Sequence, residues 1–146
     1  MDLYHSRVLE LAAGLPDLGR LADPDGAATK VSRICGSVVT VDVDLEGDRI
    51  AAIGLDAKAC ALGQASAAIF AANAVGASAA EVRAARDALA AMLREGGTPP
   101  TGRFWELRHL EAVRDYPPRH ASTLLAFDAA VAAIDAASDK TRRASA

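Results

Sequence analysis

The clearest pattern in the chain is a period-two alternation on both sides of a turn that contains glycine. From Val39 to Val43 every second residue is a valine with a polar residue between, and a second apolar run covers residues 50–55. Alternation of this kind around a turn at Glu46-Gly47 predicts an antiparallel β-hairpin. A shorter alternating run over residues 27–34 predicts another strand. We therefore expect a three-stranded antiparallel sheet.

Apolar residues at helical spacing predict helices before and after this sheet. Residues 59–75 are small and apolar on all sides, which places that helix in the middle of the fold. Ser78 and Glu81 have the spacing of a capping box, which starts the next helix. The predicted helices cover residues 2–13, 59–75, 79–95, 104–114 and about 120–137.

The order of these elements predicts an α+β domain over residues 1–137, with helices packed on one face of the antiparallel sheet. Residues 138–146 have little to bury, and we expect them to form a disordered tail. A length of 146 residues suits one domain with its own core.

Composition excludes several classes of function. The net charge of −3 offers no basic surface for nucleic acid. No charge-free apolar run is long enough to suggest a membrane span, and the first residues lack the features of a signal peptide. Phosphate-binding loops, nucleophile elbows and zinc-protease motifs are absent from the sequence. We expect a cytoplasmic protein that is not an enzyme and has neither nucleic-acid nor membrane partners.

The candidate chemistry lies in the two cysteines, which flank the hairpin. Folding the hairpin about Glu46-Gly47 puts Cys35 roughly opposite Lys58, only two residues before Cys60. The two thiols should therefore meet at one end of the hairpin. Cys60 opens a helix, where free N–H groups and the helix dipole favour a thiolate. Thiolates are the natural ligands of iron–sulfur clusters and of zinc.

The residues alone leave three interpretations of the cysteine pair open. The thiols could bind a metal or a cluster. They could be small buried apolar groups, because free cysteine is among the most buried residue types. They could also form a disulfide on oxidation.

Three segments, in this order and spacing, resemble the NifU/IscU/SufU family of iron–sulfur cluster assembly scaffolds. They are residues 34–36, 59–67 and 119–127, and the resemblance covers the chain from Tyr4 to Ile134. It implies the same α+β fold, with Cys35 and Cys60 as ligands of iron or an iron–sulfur cluster. It implies a cysteine desulfurase or another sulfur donor as a partner and apo-proteins as acceptors. In the SufU branch the implied ligand is zinc and the protein is a sulfur acceptor.

The chain departs from the family pattern at two positions. The family has Cys-Gly-Asp at the first site, where this chain has Ser37, and the family's third cysteine matches Ser122. Serine hydroxyls are poor ligands because the alkoxide forms with difficulty at neutral pH. Ser122 is a good residue for an N-cap. His120 beside it could add an imidazole ligand, or it could be an exposed histidine near a helix start.

These observations predict a scaffold-like protein that binds iron or a cluster transiently through Cys35 and Cys60. Ser122 and His120 are the further candidate ligands. Two alternatives remain: a degenerate family member that acts as a protein-interaction module, and a zinc-dependent sulfur acceptor.

Overall fold

The three predicted strands form one sheet, surrounded by helices. The computed structural model describes the backbone of residues 3–145 and the side chains of residues 3–140. In chain order the elements are α1 (Ser6–Ala13), β1 (Gly26–Ser32), β2 (Ser37–Glu46), β3 (Arg49–Lys58), α2 (Ala61–Asn73), α3 (Ala79–Glu95), two 3₁₀ segments (Gly102–Asp115 and Pro117–Arg119) and α4 (His120–Ser145).

The sheet is an antiparallel meander in the order β1-β2-β3. Val39, Val41 and Val43 of β2 are fully buried, and α4 packs along β1 and β2. The α+β fold class predicted from the sequence is confirmed. The alternation in β2 identifies its buried face because successive side chains of a strand point to opposite sides of the sheet.

The predicted register of the hairpin is wrong. The turn lies at Gly47-Asp48, where Gly47 has a φ of 64°, and a bulge shifts the register between Asp44 and Leu45. Val38, and not Cys35, therefore lies opposite Lys58. An extra residue in one strand moves every later pairing, which alternation alone does not reveal.

Cys35 lies in the turn between β1 and β2, whereas the strand predicted over residues 27–34 would have continued up to it. β1 ends at Ser32, which pairs with Ser37 across the sheet. Gly36 has a φ of 71°, and its amide donates to the Ser32 carbonyl at 2.8 Å. A left-handed residue closes this turn at low cost only where it is glycine.

The loop between α1 and β1 covers part of the outer face of the sheet. Asp42 alternates with the buried valines, yet it is also fully buried. Its carboxylate accepts from Arg20 Nε at 2.7 Å and Nη2 at 2.9 Å, and from the Leu21 amide at 3.0 Å. Gly54 faces Asp42 across the sheet, and a Cβ there would lie 2.7 Å from an Asp42 oxygen. The glycine thus leaves room for the loop and the ion pair.

Most helix boundaries agree with the sequence within a few residues. The capping box is present, with the Glu81 amide 3.1 Å from Ser78 Oγ and the Ser78 amide 3.0 Å from Glu81 Oε1. α1 begins at Ser6, and the predicted start at Asp2 lies outside the described residues. α4 continues to Ser145, so residues 138–145, predicted as a disordered tail, are helical in the structure; Ala146 lies outside the described residues.

α4 is the central helix of the core. By length and mean hydropathy (1.3) residues Pro117–Lys140 could cross a membrane, but 67% of the apolar window is buried inside the protein. Phe127 packs edge-on against Phe70 and Phe104, with ring centroids 5.6 and 5.3 Å apart. The apolar character of α4 therefore reflects packing against the sheet and the other helices.

Candidate metal and cluster site

The Cys35 thiol lies against two serine hydroxyls at the end of the β1–β2 pair. Its Sγ is 3.0 Å from Ser37 Oγ and 3.5 Å from Ser32 Oγ. Both serines are 2% exposed. Since Ser32 and Ser37 pair directly across the sheet, the backbone fixes both hydroxyls on the same side of the thiol.

These hydrogen bonds make Cys35 an acidic thiol. Burial by itself raises the pKa of Cys35, but hydrogen bonds with Ser32 and Ser37 outweigh it and lower the pKa from 9.0 to about 6. Hydrogen bonds to the charged form stabilise a thiolate. At neutral pH Cys35 is therefore largely ionised, which is the form that binds metals.

Cys60 is the N-cap residue of α2. Its amide donates to Ser37 Oγ at 3.4 Å, and its thiol lies 3.6 Å from Ser122 Oγ. Gly63, one turn further on, allows the starts of α2 and α4 to approach, because a Cβ at Gly63 would lie 3.1 Å from the Ser122 carbonyl oxygen.

Ser37 and Ser122 lie between the two cysteines and contact them. Ser37 contacts the Cys35 thiol and the Cys60 amide. Ser122, which is fully buried, contacts the Cys60 thiol. Both cysteines are free thiols. The turn, the start of α2 and the start of α4 thus form one site, which we call the thiol site.

Ser122 does not cap the last helix as predicted. α4 already begins at His120, because the 3₁₀ turn Pro117–Arg119 leads directly into it. The Ser122 hydroxyl donates back to the Arg119 carbonyl at 3.1 Å. Its oxygen lone pairs remain directed at the thiol site, where the Cys60 thiol approaches.

His120 is not the exposed histidine that one prediction described. It is 9% exposed, and its Nε2 lies 2.9 Å from the Val113 carbonyl and 3.1 Å from the Arg114 carbonyl. The imidazole therefore ties the start of α4 to the 3₁₀ segment Gly102–Asp115. Among the residues that the structure describes, no three His, Cys, Asp or Glu side chains form a group that could hold a metal ion. His120 thus does not join the two thiols.

The donors at the thiol site do not match a zinc centre. Zinc in proteins takes four protein ligands at structural sites and three at catalytic sites, from Cys, His, Asp and Glu. Cys35 and Cys60 supply two such ligands, and Ser32, Ser37 and Ser122 supply only hydroxyls. For an iron–sulfur cluster that is cargo, two thiolates provide half of the usual four cysteine ligands.

Ser32 is the site residue that sequence reasoning missed. Ser32 is one of the alternating residues of β1, so the pattern marks it only as a strand residue. Its contact with the thiol depends on the turn that folds Cys35 back over the strand pair. The serines on both sides of this turn, in Ser32-Arg33-Ile34-Cys35-Gly36-Ser37, are the only signal in the sequence.

Comparison with known proteins gives structural matches. No protein-family model matches the chain, and no curated protein matches it. Among solved structures, the chain is similar to the crystal structure of a nitrogen-fixing NifU-like protein (N-terminal) from Brucella abortus. The TM-score is 0.92 at 47% sequence identity, covering 94% of this chain and 96% of that one.

Two more distant structures share the fold. One is a putative iron–sulfur cluster assembly scaffold protein for the SUF system from Fervidobacterium islandicum AW-1, with a TM-score of 0.82 and 19% identity over 90% of this chain and 96% of that one. The other is a hypothetical protein, with a TM-score of 0.79 and 24% identity over 89% of this chain and 95% of that one. The identity to the Brucella abortus protein, over nearly the whole length of both chains, shows that this chain belongs to the NifU-like (N-terminal) family.

Proposed function

We propose that this chain is an iron–sulfur cluster assembly scaffold-like protein that binds iron or a cluster transiently through Cys35 and Cys60. The observation that carries the proposal is that Ser37 contacts both the Cys35 thiol and the Cys60 amide, which holds the two cysteines at one site. Membership of the NifU-like family supports it. The distant SUF-system structure, which is described as a putative scaffold, supports it at the level of the fold.

The chemistry of the site suits temporary binding. The acidic Cys35 thiol supplies a thiolate at neutral pH. Cys60 lies at the N-terminus of α2, where the helix dipole stabilises negative charge on bound sulfur or thiolate. Two protein thiolates leave coordination positions for a partner's thiol or for solvent. A cargo that must be passed on is released more easily from two strong ligands than from four.

The partners of such a protein are a sulfur donor, for which a cysteine desulfurase is the candidate, and apo-proteins that accept the cluster. The role is one of assembly and transfer rather than catalysis of a reaction by the chain itself. Location in the cytoplasm remains a prediction from the sequence.

Anaerobic reconstitution with iron and sulfide tests the proposal. The wild-type protein should develop the visible absorption of an iron–sulfur cluster, and Cys35→Ala and Cys60→Ala should each abolish it. Ser138→Ala, at an exposed position of α4, is the matched control and should behave as wild type. A colourless wild-type product, or a band that survives in both cysteine variants, would contradict the ligand assignment.

A second candidate function is that of a degenerate family member that works through protein contacts alone. The serines at positions 37 and 122 favour it, because hydroxyls replace the acid and the cysteine of the family pattern. In that case the purified protein is free of metal, stays colourless after reconstitution and still binds a purified cysteine desulfurase. Stoichiometric zinc in the purified protein would instead favour the sulfur-acceptor alternative, against the donor count given above.

A further inference from the structure

The thiol site combines two soft ligands with hydroxyls that are weak ligands. Ser32, Ser37 and Ser122 line it and are 0–2% exposed. Within residues 3–140 no third His, Cys, Asp or Glu side chain joins the two cysteines to complete a metal-binding group. Such a site has a lower coordination number than zinc takes in proteins. The small number of strong ligands indicates that the site selects an ion that is stable with only two of them.

We propose that Cys35 and Cys60 form a two-coordinate site for a soft monovalent metal ion, Cu(I), and that the site binds Cu(I) in preference to Zn²⁺. Soft thiolate ligands select Cu(I) among the first-row metals, and Cu(I) is stable with only two thiolates in a linear arrangement. The inference shares with the proposed function the assumption that both thiolates face one site, but it does not require cluster assembly.

The contacts of the two sulfurs place them within reach of one ion. Ser37 Oγ lies 3.0 Å from the Cys35 sulfur and 3.4 Å from the Cys60 amide, and Ser122 Oγ lies 3.6 Å from the Cys60 sulfur. Cys35 lies in a turn closed by Gly36, and Cys60 lies at a helix end. Both positions allow the sulfur to adjust by rotation about χ1 without disturbing a strand or a helix interior.

The residues around the thiol site also bear on the charge of the bound Cu(I) complex. Binding of one Cu⁺ by two thiolates forms an anionic complex with a charge of −1, each sulfur that is still protonated releases its proton, and no oxidation state changes. The segments that carry the site, residues 30–38, 57–64 and 116–124, contain no Asp or Glu, and Asp56 and Asp115 border them. They contain the cations Lys30, Arg33, Lys58 and Arg119. Ser37 can donate to the Cys35 sulfur, and this hydrogen bond favours an anionic complex.

Competition titrations of the full-length protein test this inference. Cu(I), kept reduced with ascorbate under anaerobic conditions, is titrated against the chelator bathocuproine disulfonate, and Zn²⁺ is titrated separately against a chromophoric zinc chelator. We expect one Cu(I) per chain, and weaker binding of Zn²⁺ than of Cu(I). Cys35→Ser and Cys60→Ser should each weaken Cu(I) binding by more than about 100-fold, beyond the 10–100-fold that residues hydrogen-bonded to a ligand contribute.

Two variants with an added cysteine distinguish binding at the thiol site from a general effect of extra thiols. Ser122→Cys adds a third thiol at the site and should raise the affinity for Zn²⁺. Ser138→Cys adds an exposed thiol roughly 24 Å further along α4, from 16 residues at 1.5 Å each, and should leave both affinities unchanged. Cu(I) binding that survives in either single-cysteine variant, or Zn²⁺ binding as tight as that of Cu(I) in the wild type, would overturn the inference.

The two proposals fail independently. A wild-type protein that binds Cu(I) as expected but stays colourless with iron and sulfide contradicts the scaffold function and supports the Cu(I) inference. A protein that assembles a cluster but shows no preference for Cu(I) over Zn²⁺ contradicts the inference and supports the scaffold function.

Discussion

At the scale of single residues, serine hydroxyls decide the state of the Cys35 thiol. Ser37 and Ser32 contact its sulfur at 3.0 and 3.5 Å. In the family pattern an acid stands at the position of Ser37. A neutral hydroxyl there stabilises the thiolate by hydrogen bonding, whereas a carboxylate would repel its negative charge. The substitution therefore changes the electrostatics of the site as well as its ligand count.

The protonation of Cys35 gives the first prediction. In a Cys60→Ala background, the rate of alkylation by iodoacetamide should rise with pH through a midpoint near 6. The rate falls below that pH because the thiol becomes protonated, and it reaches a plateau above it. Ser37→Ala should move the midpoint upward by about one to two pH units, because a hydrogen bond to a charged group is worth ~1.5–3 kcal/mol and one pKa unit is ~1.36 kcal/mol.

Ser138→Ala in the same background serves as the control and should keep the midpoint of the parent. A midpoint near 9 in the parent protein would show that the serines do not stabilise the thiolate in solution.

At the scale of elements, the site depends on how closely the starts of α2 and α4 approach. Gly63 faces Ser122 and the Ala59 methyl, and a Cβ added there would lie 3.1 Å from the Ser122 carbonyl oxygen and 2.8 Å from Ala59 Cβ. Each contact is closer than a side-chain carbon normally tolerates. The small residue at position 63 therefore sets the distance between the Cys60 thiol and the last helix.

Gly63→Ala should separate the two helix starts and destabilise the fold. We expect the free energy of unfolding to fall by about 1–3 kcal/mol, the usual cost of overpacking a closely packed position. Chemical denaturation measures this loss. Gly14→Ala is the comparison variant, since its added methyl would meet only carbonyl oxygens, at 3.3 and 3.6 Å, and its effect should be smaller. An equal effect of both substitutions would remove the argument for a helix contact at Gly63.

At the scale of the whole molecule, the helices, the sheet and the loop between α1 and β1 form three layers. The thiol site lies at one end of these layers. The helices cover one face of the sheet, and the loop between α1 and β1 covers part of the other through the Arg20–Asp42 pair. The site lies where the β1–β2 turn meets the starts of α2 and α4. The far end of α4 is remote from it, and Ser138, Asp139 and Lys140 are exposed there.

A chain shortened to residues 1–137 should therefore keep the fold and the site. Ala137, the last fully buried residue of α4 among the side chains that the structure describes, is retained in this variant. We expect a loss of stability below about 1 kcal/mol, in the range of changes at exposed positions, together with unchanged Cys35 alkylation. Thermal unfolding and the alkylation assay test this. A large loss of stability would show that residues 138–146 belong to the domain.

The sequence by itself determined the sheet, the capping box and the central place of the apolar helices, because alternation and helical spacing follow directly from strand and helix geometry. It also determined that the cysteines flank a hairpin. The bulge after Asp44 and the left-handed turn at Gly36 were not visible in the pattern, since both insert local exceptions into a regular repeat. The bulge helped to shift the β2–β3 register, and the Gly36 turn placed Cys35 between β1 and β2.

Only the tertiary structure decided which groups surround the thiols. Ser32 joins the site because the β1–β2 turn folds Cys35 back over it. His120 leaves the site because its imidazole binds the carbonyls of the preceding 3₁₀ segment. Contacts of this kind join residues that are distant in sequence or that depend on the direction of one side chain. The spacing of residue types identified the two cysteines as candidates. The packing of three chain segments determined which hydroxyls surround them and therefore their chemistry.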